Sequence, residues 1–226
     1  MNQSTIHRLK GGLIVSCQAA EGTPLHGPTF MAAMARAAEI GGAVGIRANG
    51  PADIKAIKEA VCIPIIGIHK IRHPGYEPYI TPTLQAAKEI AGAGADIIAV
   101  DATLRLHPME LSAADLIAEI KTLALPVMAD ISTLEEGIAA AGAGADIIAT
   151  TMSGYTSYSR QSDQPDFALV EELAQAIKIP IIAEGKIRTP EQARKAIDLG
   201  AYAVVVGTAI TRPDVITGRF VNALSG

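Results

Sequence analysis

A set of polar and charged residues closes a series of apolar runs in this chain, at places where a hydrophobic core would not select them. Lys70 directly follows PIIGIH, so its ammonium must be paired or neutralised at the mouth of whatever the run builds. Partial burial lowers a lysine from its ordinary value of ~10.4 toward the range of a general base. The same placement suits a Schiff-base nucleophile, and a lysine snorkelling over a rim is the third reading. Glu184 stands in an Ala-Glu-Gly step, where small neighbours leave room for a ligand beside a carboxyl that accepts or donates a proton. Its structural alternative is an ion pair with Lys186 or Arg212. Of Asp101 and Asp130, one is expected to pair with Lys70 and set its protonation, and the other to cap a helix. Arg47 either binds a substrate oxygen or pairs with a nearby carboxylate, and Ser16 and Gln18 end the first run.

A second constellation suits an anion. Gly185 in AEGKI and Gly207 in VVGTAITRP let the backbone approach a ligand closely, and amides before a short helix make an anion site. Thr208 adds a hydroxyl and Arg212 a charged fork. The segment SGYTSYSRQSDQPDF (153–167) carries two rings, Tyr155 and Tyr158. Its composition suits a loop closing over a polar ligand, or a plain exposed connection. The histidines are His7, His26, His69, His73 and His107. Only His69 lies on an expected strand, with Lys70 pointing to the other side. No histidine pair accompanies carboxylates at the run ends, so no metal is expected, and no other cofactor.

The elements that must position these groups follow from repetition. IAGAGADIIAVDAT (90–103) and AAAGAGADIIATTM (139–152) are the same unit written twice. A second kind of unit, in which proline stops a helix before an apolar run, alternates with it at 61–70, 123–132 and 177–186. Eight runs result: LIVSCQA, AVGIRA, PIIGIHK, DIIAVDA, PVMADIS, DIIATTM, PIIAEGK and AVVVGTA. They are continuous rather than alternating, which predicts parallel strands buried on both faces by helices. Eight such units over residues 1–226 predict a single (β/α)8 TIM barrel domain, with the polar run ends on one rim. The GAGAD turns belong to the opposite rim and to stability. Residues 218–226 form a last helix or a loose tail.

Composition narrows the function classes. A formal charge of −4, from 19 basic and 23 acidic residues, leaves no electrostatic footprint for nucleic acid or a membrane surface. An anionic ligand must therefore be caught locally. Cys17 and Cys62, each within an apolar run, read as buried thiols in a reducing compartment. No stretch resembles a signal peptide or a membrane span, so the expected location is cytoplasmic.

In order along the chain, SCQA (16–19), GIRANG (45–50), Lys70, MADIST (128–133), SGYT (153–156), AEGKI (183–187) and GTAITRP (207–213) resemble the N-acylmannosamine-6-phosphate 2-epimerase family. The resemblance runs from Gly12 to Pro213 and implies a ribulose-phosphate-binding type of barrel acting in sialic acid breakdown. It implies interconversion of N-acylmannosamine 6-phosphate and N-acylglucosamine 6-phosphate by deprotonation and reprotonation at C2. By this resemblance Lys70 matches the catalytic lysine and Glu184 the catalytic-site glutamate. Gln18, Arg47 and Asp130 match substrate positions, joined by Tyr155 from the loop reading. Gly185, Gly207, Thr208 and Arg212 match the phosphate end. A phosphosugar is then the expected small-molecule partner, and a homodimer the expected assembly. The competing readings are a Schiff-base aldolase or another phosphosugar isomerase on the same barrel, and a catalytically silent sugar-phosphate binder.

Overall fold

Proline and glycine set the alternation of elements. Thr189 caps a helix whose first residue is Pro190, and Ser112 and Thr133 each close a capping box with the carboxylate three residues on. A computed structural model describes residues 2–225. The eight strands are β1 Leu13–Cys17, β2 Gly45–Asn49, β3 Ile65–Ile68, β4 Ile97–Asp101, β5 Val127–Asp130, β6 Ile147–Ala149, β7 Ile181–Glu184 and β8 Ala203–Val206. Seven lie inside one of the eight apolar runs, and β2 passes the end of its run by one residue, Asn49. All pair in parallel and in sequence order, and β8 returns to β1, so the sheet closes as the expected single-domain (β/α)8 barrel.

Helices α2 Pro28–Ile40, α3 Pro51–Ala60, α4 Leu84–Gly92, α5 Ala113–Lys121, α6 Leu134–Gly142, α7 Phe167–Ala176 and α8 Pro190–Asp198 cover the outside. The short helices α1 Asn2–His7 and α9 Thr208–Thr211 and the terminal α10 Pro213–Ser225 complete the chain. Helix α10 takes up the stretch expected as helix or tail as far as Ser225; Gly226 lies outside the described residues. None of the helices is long and apolar enough to cross a membrane among the described residues.

The two faces of each strand enter different cores. Ile46, Ile65, Ile98, Val127 and Ile148 pack outward under the helices, while Ile14, Ile66, Ile97, Met128, Ile147 and Ile182 fill the barrel interior. Leu9, fully buried just after α1, closes the bottom of that interior. Continuing the inward parity upward gives Ser16, Arg47, Lys70, Asp101, Asp130, Thr151, Glu184 and Gly207. The period of two thus delivers the polar run ends to the top of the barrel.

The bottom rim is held by a repeated tie. Asp96 accepts Lys58 Nζ at 2.7 Å and the Ile65 amide at 2.9 Å. Asp146 does the same two units on, accepting Lys121 Nζ at 2.7 Å and the Val127 amide at 2.7 Å. Each GAGAD aspartate therefore binds its own strand base to the neighbouring strand and to the helix before it. Two expectations change: Cys17 is buried, but Cys62 is exposed because its run turns outward before β3. His69 lies past the end of β3, with Nδ1 3.1 Å from Glu89 on α4.

Candidate active site

The top of the barrel opens into a cavity of about 530 Å³, a size suited to a small polar ligand. Its wall includes Ser16, Gln18, Arg47, Asn49, Lys70, Tyr79, Thr151, Tyr155, Glu184, Gly185, Gly207, Thr208 and Arg212. Nine of the ten residues singled out from the sequence therefore meet on one surface, drawn from strands far apart in the chain.

The tenth, Asp130, lies underneath. It is fully buried, and Arg47, itself 1% exposed, engages it with both terminal nitrogens, Nη1 to Oδ1 at 3.1 Å and Nη2 to Oδ2 at 2.5 Å. Thr151 Oγ1 adds a donor at 2.6 Å to Oδ1. Asp130 thus supports Arg47 instead of forming the wall, and it is not the ion-pair partner of Lys70. Asp101 is not that partner either, and caps no helix: it holds Arg105 at 2.9 Å and the Thr103 hydroxyl at 2.7 Å. Of the two roles open to Arg47, the carboxylate pairing is realised, while the guanidinium still reaches the cavity. Removing one member of such a buried pair leaves an uncompensated charge, at about 3–5 kcal/mol.

Glu184 meets Arg47 Nη1 at 3.1 Å, not Lys186 or Arg212. Lys186 instead donates to the Ser162 carbonyl, and Arg212 is tied to Asp214 by two hydrogen bonds. Burial pushes the Glu184 carboxyl up to about 7; Arg47 opposes this and the nearby Asp130 charge adds to it. The Glu184–Arg47 ion pair is made by Oε2, which is buried and accepts no well-aligned hydrogen bond, and Arg47 Nε is buried without a hydrogen-bond partner. A buried donor left open beside a cavity is a group prepared for a ligand.

Lys70 forms no ion pair among the described residues. Its ammonium sits below the ordinary lysine range, first through loss of bulk water in the barrel mouth and then through repulsion by Arg47; Glu184 and Asp130 pull the other way. The backbone of Lys70 is anchored on both sides. An isolated antiparallel bridge joins it to Ile80, and its amide donates to Asn49 Oδ1 at 2.9 Å. The last contact fixes the Asn49 amide, so its NH2 group is the end left to face the cavity.

The anion end lies across the cavity. Gly185 has φ +113°, a conformation that favours glycine, and it turns the chain sharply after β7. A Cβ at Gly207 would stand 3.3 Å from Ser16 Cβ, so glycine keeps β8 and β1 close there. The amides of Thr208 and Ala209, at the start of α9, donate to no protein group among the described residues. Lys186, Arg188, Arg212 and Arg219 surround this end. The local excess of cations supplies what the chain's net negative charge does not.

The 153–167 loop divides its two rings. Tyr155 is exposed on the cavity wall under the Lys186 ammonium, 5.1 Å from the ring centroid. Tyr158 points away and donates to Glu136 at 2.7 Å, so it does not cover the cavity. Asn49, Tyr79, Arg188 and Arg219 line the cavity without having been singled out. Among the described residues no group of three His, Cys, Asp or Glu side chains could hold a metal ion.

Comparisons with known proteins agree on one family. Residues 31–226 match the profile of NanE, described as "Putative N-acetylmannosamine-6-phosphate epimerase". A relative from Caldanaerobacter subterraneus subsp. tengcongensis, named "Putative N-acetylmannosamine-6-phosphate 2-epimerase", is 57% identical over 224 residues, covering 98% of this chain and 94% of its own. A similarly named protein of Clostridioides difficile is 48% identical over 219 residues, covering 97% of this chain and 98% of its own. The solved N-acetylmannosamine-6-phosphate 2-epimerase of Clostridium perfringens superposes with a TM-score of 0.94 at 50% identity, covering 96% of this chain and 95% of that one. A geranylgeranylglyceryl phosphate synthase from Thermoplasma acidophilum, at 20% identity and a TM-score of 0.60 over 94% of this chain and 92% of that one, shares the fold.

Proposed function

Since the chain belongs to the N-acetylmannosamine-6-phosphate epimerase family, we propose that it interconverts N-acylmannosamine 6-phosphate and N-acylglucosamine 6-phosphate by inverting C2, in the breakdown of sialic acid and other amino sugars. One observation carries the chemistry: a lysine of lowered basicity and a buried carboxyl that titrates near neutrality share one cavity wall.

In the open-chain sugar the C2 proton lies beside the C1 aldehyde and is acidic. Neutral Lys70 Nζ takes that proton, and the C2–H electron pair moves into a C1–C2 double bond as the carbonyl π pair moves onto O1. Return of a proton to the opposite face of C2 restores the aldehyde with inverted configuration. Arg47, with Nε unshared, and the Asn49 NH2 group are donors on the cavity wall that can serve the developing oxyanion. Glu184 acts in ring opening or in the second proton transfer. Gln18 and Tyr155 bound the sugar, and Gly185, Gly207, Thr208 and Arg212 hold the phosphate. A phosphorylated substrate does not cross a bilayer unaided, which supports a cytoplasmic setting. A homodimer is proposed as well, supported by the exposed apolar side chains of α10.

Proton NMR of N-acetylmannosamine 6-phosphate with the enzyme in heavy water tests this reading. The gluco epimer should appear with deuterium at C2, and Lys70→Ala should lose about 10²–10⁴-fold in turnover. Near-normal turnover in a folded Lys70→Ala variant would remove the lysine from the reaction. Binding of the phosphosugar with no change to it would reduce the protein to a binder.

A further inference from the structure

The chain between β3 and α4 does not return to the outside of the barrel at once. It runs on past β3, turns, and comes back through Tyr79, Ile80 and Thr81 as an antiparallel partner, with Lys70 opposite Ile80. The Thr81 amide donates to the His69 carbonyl at 2.9 Å, and the Ile71 amide to the Tyr79 carbonyl at 3.0 Å. These two bonds flank the Lys70–Ile80 pair, which makes it the non-hydrogen-bonded kind, where side chains stand closest and on one face. That face is the cavity wall, which holds both residues.

The returning segment occupies the seam between β3 and β4. The two strands pair with Ile66 opposite Ile97 and Gly67 opposite Ile98. Continued one pair further, this register would bring the His69 amide to the Ala99 carbonyl. Thr81 stands between those two groups instead: its hydroxyl accepts the His69 amide at 3.1 Å and donates to the Ala99 carbonyl at 2.6 Å. Just above, the Ile80 carbonyl accepts the Asp101 amide at 2.9 Å. Thr81 is fully buried, and its φ of +48° is a left-handed conformation that a β-branched residue rarely adopts. Strain of this kind persists only where the surroundings fix it, and it gathers at functional sites.

We propose that Thr81 is a positioning residue for Lys70: its hydroxyl takes the place of a ladder hydrogen bond, holds the returning segment in the β3–β4 seam, and so keeps Ile80 beside the lysine. Lys70 stays open to the cavity, and an apolar neighbour on one side strips part of the water from its ammonium. Loss of water is the first cause of its lowered basicity. The charged groups that face Lys70 are Arg47 from β2, Asp130 from β5 and Glu184 from β7, and Tyr79 of the returning segment lines the same cavity. The Thr81 hydroxyl reaches the lysine through the main chain, since both of its partners are backbone groups. The consequence for turnover rests on the epimerase reading, but the placement of Lys70 does not.

Thr81→Gly removes the hydroxyl while easing the backbone, because glycine adopts that φ freely. Trace labelling of the ligand-free enzyme with acetic anhydride, followed by mass spectrometry across a pH series, gives the midpoint at which the Lys70 amine becomes reactive. In Thr81→Gly this midpoint should rise toward that of an ordinary lysine, by about half a pH unit or more. In turnover the same variant should lower kcat about 10–100-fold with little change in KM, since the lysine is displaced and the phosphate end is not. Thr81→Ser, which keeps the hydroxyl, should recover both midpoint and kcat. Should Thr81→Gly fail to fold, Ile80→Ala leaves the hydroxyl in place and should raise the same midpoint by removing the apolar neighbour. An unmoved midpoint in the folded variant overturns the proposal, as does a loss of turnover that Thr81→Ser does not recover. If the wild type fails to epimerise, the function reading falls while the labelling midpoint still decides the role of Thr81.

Discussion

Glu184 shows how one side chain couples the site to the stability of the fold. Its carboxyl is raised in the folded protein to about 7, against an ordinary value near 4.5. The folded state therefore holds a proton that the unfolded state releases between these values. Stability linked to that proton is complete below about 4.5 and is lost as the pH rises through about 7. Glu184→Gln cannot ionise and escapes this loss. The melting temperature of Glu184→Gln relative to wild type should therefore be higher at pH 8 than at pH 5, measured by calorimetry at both. A difference independent of pH would mean that Glu184 is not raised by its surroundings. Lys70 shifts in the opposite sense for the same primary reason, since burial penalises the charged form of either group. Glu184, at about 7, can exchange a proton with a substrate near neutral pH, and Lys70 is moved in the direction that favours its neutral form.

At the scale of elements, the GAGAD aspartates carry stability and no chemistry. Asp146→Ala removes the acceptor for both Lys121 and the Val127 amide. The expected cost is about 1–3 kcal/mol, or roughly 2–10 °C in melting temperature, with kcat/KM at 25 °C unchanged. Thermal unfolding beside an activity assay checks it, and a loss of activity without loss of stability would place the bottom rim in the mechanism. These elements were legible in the sequence because each strand is a continuous apolar run and each turn repeats its residues; the barrel closure and the strand order followed, and nine of the ten candidate residues line one cavity. The parts not legible depend on register and distance. Arg47 and Asp130 are 83 residues apart, and nothing local announces that β2 and β5 set them face to face. A pairing of Asp101 or Asp130 with Lys70 was expected because all three end runs, but Arg105 takes the first carboxylate and Arg47 the second. Asn49 was within reach, since it shares the inward parity of Arg47 two residues earlier. Tyr79 and Arg219 stand in a loop and on a terminal helix, where no period marks a facing direction.

For the molecule as a whole, one surface remains open. Helix α10 buries none of its residues and exposes Phe220, Val221 and Leu224, whereas α2 to α8 each bury part of one face. Apolar side chains grouped on an outer helix mark a contact surface, and closed symmetry makes a pair of chains the simplest partner. Sedimentation should find two chains together and Phe220→Asp should shift the balance toward one; a monomeric wild type would refute the assembly. The buried ion pair at the floor of the cavity has a different reach, across evolutionary time. Arg47 and Asp130 join β2 to β5 through the barrel interior, and either one changed alone strands its partner's charge there. Single substitutions there fall into a fitness valley, so descendants of this sequence can alter the floor of the site only by changing both residues at once. New substrates are therefore more accessible through Gln18 and Tyr155 on the wall, neither of which is tied into a buried ion pair.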